Sequence, residues 1–164
     1  MSSSTPDFKA PSRNDQVFLG AGFLAFIFSF IAFAHISFDG IGNTISAWHG
    51  IGVLAGLLLV VGLVAGAAAV FAPASVSGLP VPARLLATGL AALALLFFVI
   101  RWLTLPNAHG FGINVGYSLY WGGYVLLVLN IATVAAGFLG MKDAGVSLPG
   151  QAAAGGPPAS PPSV

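Results

Sequence analysis

The sequence predicts an all-α integral membrane protein that crosses the bilayer with four helices. Two observations support this class. First, 57% of the 164 residues are hydrophobic, and the mean hydropathy is +0.97. Second, only 5% are Lys, Arg, Asp or Glu, against roughly 25% in soluble domains. Because so few charged side chains are available to face water, we expect the lipid bilayer to surround most of the chain.

Four apolar runs approach or reach the length of about 20 residues that a membrane-spanning helix needs. They cover about residues 17–34, 51–71, 85–103 and 117–139. Polar residues at every second position would indicate barrel strands, and these runs have no such alternation. The sequence therefore predicts a four-helix transmembrane domain over residues 17–142, with the segments between the helices interpreted as loops.

The two ends of the chain have a different composition. Residues 1–16 are polar, and residues 143–164 are rich in Pro, Ala, Gly and Ser. Neither segment has enough apolar surface to offset the entropy cost of ordering. Both are predicted to be disordered cytoplasmic tails.

The basic residues predict the orientation in the membrane. Lys9, Arg13, Arg84 and Lys142 fall on one side of the four runs, and Arg101 falls on the other. Because basic residues concentrate in cytoplasmic segments, both termini are predicted to be cytoplasmic. The opposite, outer interface then carries the aromatic residues that favour such positions: Trp48, Trp102, Trp121, Tyr117 and Tyr120.

The first apolar run has a second interpretation. Two basic residues precede it and "AFA" ends it at 32–34, which is also the pattern of a cleaved signal peptide. The run is longer than the usual apolar core of a signal peptide, so we favour an uncleaved span.

The two halves of the sequence resemble each other weakly. "AH" at 34–35 and at 108–109 each precede a tryptophan, Trp48 and Trp121, which is followed by glycine and an apolar run. This pattern is typical of a parallel internal repeat. Shared membrane composition explains it equally well, so both explanations stay open.

Three histidines and one aspartate are the candidate metal ligands: His35, His49, His109 and Asp39 all map to the predicted outer side. Imidazole and carboxylate groups bind zinc or copper. However, no pair has the H-x-x-x-H spacing that places two ligands on one helix face. We therefore expect no metal or cofactor here, and interpret residues 32–50 as an interfacial turn.

Two features of the apolar runs predict helix packing. Gly52, Gly56, Gly62 and Gly66 fall on one face of the second run, where the lack of side chains allows another helix to approach closely. In the fourth run, Asn130 and Thr133 share a face and are expected to form hydrogen bonds between helices. The partner helix belongs either to the same chain or to another subunit.

Several short segments resemble a known group of proteins. They are "AWHG", "GLPVPARLL", "RWLTLP" and "GYSLYWGGYVLLVL", followed by a Pro/Ala/Gly tail. Together they resemble the small four-span membrane proteins of unknown function found in actinobacteria. The resemblance covers about residues 17–142 and implies a location in the plasma membrane. It carries over no catalytic residue.

The sequence thus favours a non-enzymatic function, because it contains neither a nucleophile–base pair nor paired carboxylates in a recognisable motif. We expect an accessory or scaffold subunit of a larger membrane assembly, whose partners are the bilayer and either other membrane subunits or further copies of itself. The net charge of +1 does not suggest nucleic acid. The alternative is a transporter-like or ligand-binding protein that uses the outer histidines for a metal or a quinone.

Overall fold

The computed structural model describes residues 10–38, 41–105, 108–110 and 113–146. These residues are mostly helical. The helices are α1 (Arg13–Phe28), α2 (Gly52–Phe71), the short α3 (Pro73–Val76), α4 (Ala83–Leu103) and α5 (Trp121–Asp143). The strands are β1 (Ala32–Phe38), β2 (Ile41–Ser46), β3 (Ala108–Gly110) and β4 (Ile113–Leu119).

Three of these helices are long and apolar enough to cross a membrane. They are α2, α4 and α5, with 20, 21 and 23 residues. Their apolar character agrees with three of the four predicted spans. The predicted disordered tails fall largely on residues 1–9 and 147–164, which lie outside the described part of the chain. Residues 13–16, predicted to be disordered, instead form the first turn of α1.

The first predicted span is shorter than expected. It was predicted to continue to Ala34, but α1 has 16 residues and ends at Phe28. Ser29 explains the early end, because its hydroxyl donates to the Phe26 carbonyl and its own carbonyl accepts from the amide of Ala47. These bonds tie the chain to the segment before α2, and residues 32–38 continue as a strand.

The all-α prediction is wrong, because a four-stranded antiparallel sheet forms in the order β2-β1-β4-β3. Its central pair joins segments that were interpreted mainly as separate loops, with Ala34 opposite Leu119 and Phe38 opposite Val115. Residues 117–119 were predicted to open the fourth span, but they belong to β4, and α5 begins at Trp121. Each segment folds as a hairpin, β1–β2 and β3–β4. Pairing the two hairpins satisfies backbone groups that separate loops would leave to solvent.

The helices form a four-membered ring in which α1 contacts α5 and α2, and α4 contacts the same two helices. The sheet adjoins the end of α1, the start of α2, the end of α4 and the start of α5, so we call this the sheet end. The opposite end of the bundle, where α1 and α4 start and α2 and α5 finish, is called the terminal end. Each half of the chain therefore follows the same order: helix, hairpin, helix.

The core differs between the two ends. Near the sheet it contains large apolar side chains that are fully buried, among them Phe33, Leu59, Phe98 and Leu126. Towards the terminal end the buried apolar side chains are mostly small: Phe18 packs there with Ala87, Ala91 and Ala136. The bundle is thus closed by bulky residues at the sheet end and lined by small residues at the terminal end.

Candidate functional site

The predicted metal ligands occupy the sheet end but have other contacts. His35 lies on β1, and its ring stacks on Tyr120 with the ring centroids 5.9 Å apart. His49 follows β2, and its Nδ1 lies 3.3 Å from the Ser46 carbonyl oxygen. His109 lies on β3 opposite Asn114, while its side chain and the whole of Asp39 lie outside the described residues. Among the described side chains, no three His, Cys, Asp or Glu residues come together as a metal site.

The "AWHG" segment is a structural anchor between α1 and α2. The Trp48 indole Nε1 donates to the Ser29 hydroxyl at 2.8 Å, and its ring stacks on Phe30 at 5.1 Å between centroids. A Cβ built on Gly56 would lie 2.9 Å from the Trp48 ring. Aromatic rings with a polar N–H favour such half-apolar positions, so this tryptophan fixes the end of α1 to the start of α2.

The four glycines of α2 are all buried and face other parts of the same chain. Gly52 lies against the Ala47 carbonyl and Gly56 against Trp48. Gly62 faces the backbone of α4, and Gly66 lies against the ring of Phe18 on α1. The glycine face therefore allows close approach within one chain, between α2 and both of its neighbours.

An ion pair that the sequence analysis did not anticipate lies at the terminal end. The Arg84 guanidinium, in the first turn of α4, donates from both terminal nitrogens to the Asp15 carboxylate of α1, at 2.5 and 2.9 Å. Two parallel bonds of this kind fix the geometry of the pair as well as its charge. The pair therefore joins the starts of two helices that do not follow each other in sequence.

Asp15 also caps its own helix. Its carboxylate accepts from the amide and hydroxyl of Ser12, while the Ser12 hydroxyl accepts from the Asp15 amide, which completes a capping box. Asp15 lies in the polar first turn, before the apolar run that begins at Val17. Burial alone would raise the pKa of this carboxyl, but the hydrogen bonds and charge of Arg84 and the bonds from Ser12 hold its pKa below the ordinary value. It is ionised at neutral pH.

A cleft opens beside this ion pair, between the ends of all four long helices. Its volume is about 310 Å³, and it is lined by polar groups of Ser12, Asp15, Arg84 and Asp143 together with apolar residues such as Val70. At the edge, Asn14 Nδ2 donates to the Asp143 carboxylate at 2.6 Å and ties α1 to the end of α5. A narrower space of about 20 Å³ lies beside the cleft and is lined by Asp15 and Arg84 as well as by Thr88 and Gly137. This cleft is the candidate functional site.

Asn130 and Thr133 lie further along the same face of α5 and are both fully buried. Their donors turn back on their own helix: Asn130 Nδ2 donates to the Leu126 carbonyl and the Thr133 hydroxyl to the Leu129 carbonyl. Contrary to the expectation, these two donors bond within α5 and not to another helix. The Asn130 Oδ1 atom has no protein partner, a deficit that typically costs about 1–3 kcal/mol in a buried site.

Sequence reasoning used Arg84 only for orientation and did not consider Asp15. One signal was available: "SRND" at 12–15 has the Ser-x-x-acid pattern of a capping box just before an apolar run. That pattern marks the start of α1 at a polar boundary. It does not predict that the same carboxylate reaches Arg84, 69 residues away.

No family model, no curated protein and no solved structure matches this chain.

Proposed function

We propose that this protein is a non-enzymatic, four-span protein of the plasma membrane that acts as an accessory or scaffold subunit of a larger membrane assembly. The observation that carries the proposal is the sheet, which joins the two hairpins into one hydrogen-bonded platform at one end of a bundle of apolar helices. A hydrogen-bonded sheet holds a surface in one conformation, which lowers the entropy cost of binding a partner.

The proposal assigns α1 as the fourth span. The apolar part of α1, residues 17–28, extends about 18 Å, less than the roughly 30 Å of bilayer hydrocarbon. The helix packs against both α5 and α2, and its outward side chains are apolar: Phe23, Leu24 and Ile27 are all exposed. A short span is accommodated by local thinning of the bilayer at modest cost.

The proposal also places the terminal end in the cytoplasm. Arg13, Arg84 and Lys142 all belong to helix ends at the terminal end, whereas Arg101 belongs to the last turn of α4 at the sheet end. The bias of basic residues towards the cytoplasm then puts both termini inside and the sheet outside.

The orientation can be tested with single cysteines, because the chain has none of its own. Ile41→Cys lies on the exposed strand β2, and Ser77→Cys lies on the exposed connection between α3 and α4. In intact cells, a membrane-impermeant maleimide should label the Cys at 41 and spare the Cys at 77 until the membrane is opened. Labelling of position 77 in intact cells would refute the orientation.

The scaffold role can be tested by purification in a gentle detergent at native expression level. Wild-type protein should bring other membrane polypeptides with it in fixed ratio. Thr44→Lys places a charge on the exposed strand β2 and should reduce that ratio severalfold, while Ser77→Lys, at the terminal end, should not. A chain that elutes alone, without any fixed companion, would contradict the scaffold role.

A further inference from the structure

A row of small and polar residues leads from the cleft at the terminal end into the bundle. On α5 it consists of Gly140, Gly137, Thr133 and Asn130, all of which are buried. Successive members are three or four residues apart, so they lie on one face of the helix. At 1.5 Å per residue, Asn130 lies about 15 Å deeper than Gly140. This face leads from the ion pair towards the middle of the bundle, with glycines near the pair and the polar residues deeper.

The space along this route narrows with depth. It measures about 310 Å³ beside Asp15 and Arg84 and about 20 Å³ where Thr88 and Gly137 line it. A cavity needs roughly 10–15 Å³ of such volume to hold one water molecule. The space beside Thr88 and Gly137 is therefore large enough for one water molecule.

Phe18 of α1 lies across the route. Its ring occupies the space over Gly66 and lies 3.2 Å from the position that a Cβ on Gly137 would take. One helical turn further along α1, Gly22 faces the Thr133 methyl group at 3.3 Å, measured in the same way. Phe18 thus separates the narrow part of the cleft from the level of Thr133 and Asn130.

We propose that Asn130 and Thr133 form a binding site for water, or for a neutral hydrogen-bond donor of the same size, that is entered from the terminal end past Phe18. The chemistry of the two side chains selects a donor. Asn130 Oδ1 is an acceptor without a protein partner, and the Thr133 hydroxyl donates its hydrogen bond to the Leu129 carbonyl. Both oxygens therefore accept, and a water molecule donates twice.

The same surroundings disfavour an ion. Among the described residues the one buried charged side chain is Asp15 at the terminal end, and it is already paired with Arg84. An ion at Asn130 would be buried without a counter-charge, which is strongly unfavourable. Beyond Asn130 the bulky core around Leu126 and Phe98 closes the bundle. The route therefore ends in a binding site and is closed towards the sheet.

The test follows the Asn130 side-chain amide by NMR in protein labelled with ¹⁵N-asparagine and held in lipid nanodiscs. The wild type should show magnetisation transfer between water and this amide. Phe18→Ala should raise the exchange rate of the amide protons about tenfold, and Ala136→Leu, which fills the narrow space, should lower it about fivefold. Leu126→Ala, a comparable truncation on the closed side, should leave the rate within a factor of two.

Two results would overturn the proposal: no transfer from water in the wild type, or equal rates in Phe18→Ala and Ala136→Leu. If Phe18→Ala does not accumulate, Phe18→Leu keeps an apolar side chain there and should still raise the rate. The site goes beyond the scaffold role and is tested separately from it. Asn130→Leu should abolish the amide signal and leave the co-purification of partner subunits unchanged. Loss of the partner subunits in this variant would show that Asn130 serves assembly instead.

Discussion

The contact between α2 and α4 at Gly62 allows a quantitative prediction for Gly62→Leu. A Cβ at this position would lie 3.1 Å from the Ala87 carbonyl oxygen, 3.2 Å from the Leu90 Cβ and 3.4 Å from the Ala91 amide nitrogen. Two of these three atoms are backbone, which cannot rotate away as a side chain does. Any added side chain must therefore push α4 away from α2.

The expected cost is the balance of two effects. Replacing a helical glycine gains about 1 kcal/mol from helix propensity. Forcing extra methylene groups into a packed contact costs typically about 1–3 kcal/mol, and occasionally more. Gly62→Ala adds one heavy atom and should leave the free energy of unfolding nearly unchanged. Gly62→Leu adds four heavy atoms and should lower it.

Gly89 on α4 provides the matched control. It is exposed, and a Cβ there would meet nothing within 4 Å. Gly89→Leu makes the same chemical change without the contact, so it should be neutral or slightly stabilising. Relative to Gly89→Leu, we expect Gly62→Leu to lower the free energy of unfolding by roughly 1–3 kcal/mol, which is the overpacking cost alone, because both variants share the gain in helix propensity.

The assay is reversible unfolding in mixed micelles of increasing denaturing-detergent content, followed by the fluorescence of the tryptophans. Both variants are compared with wild type in the same lipid. If Gly62→Leu and Gly89→Leu unfold at the same detergent content, then α4 does not pack on this face of α2 and the reasoning is wrong.

Three further predictions concern the two ends of the bundle. The pKa of Asp15 is lowered in the folded state. Its contribution to stability is therefore present above the ordinary carboxyl pKa of about 4 and is lost as the pH falls through the folded value. Asp15→Asn should flatten that acid dependence in thermal melts from pH 7 to 2.5, and an unchanged profile would contradict the ion pair. Ser29→Ala removes the acceptor of the Trp48 indole and should cost about 1–3 kcal/mol in the same unfolding assay, with Ser118→Ala on the exposed side of β4 as control. Replacing His35, His49 and His109 together by Gln should leave accumulation of the protein nearly intact. The free energy of unfolding should fall by about 0.5–1.5 kcal/mol, because the His35–Tyr120 stack is lost. About one metal ion per chain in wild type and none in this variant would show that the histidines bind metal.

The helical part of the fold could be predicted from the sequence because long apolar runs have few alternatives in a membrane. Within a bilayer each backbone amide must find its partner inside its own segment, so a run such as residues 51–71 is constrained to be helical. The structure places α2 at Gly52–Phe71, within one residue of that prediction. The same reasoning failed after Phe28, because hydropathy does not distinguish a helix from a strand in a short apolar run.

A local signal for the first hairpin was present but was not used. Asp39–Gly40 is a dipeptide strongly favoured in two-residue hairpin turns, and it links the paired residues Phe38 and Ile41. Flanking Ile and Thr residues also favour strands. The pairing of β1 with β4 had no such signal, because it depends on contacts between residues about 80 positions apart.

The candidate site is hard to predict for a related reason. Asp15 and Arg84 are each ordinary in their own sequence context: one caps α1, and the other opens α4 at a basic boundary. Their meeting depends on the ring order of the helices, in which α1 and α4 both start at the terminal end and α5 lies between them. The same order brings Gly140, Thr88 and Gly137 to one cleft, and leaves Asn130 deeper on the same face. A helix face of small residues lets a neighbouring helix approach closely, but it leaves narrow gaps wherever the neighbour's side chains are also short. The small residues that were interpreted only as packing surfaces therefore also create the space beside the ion pair.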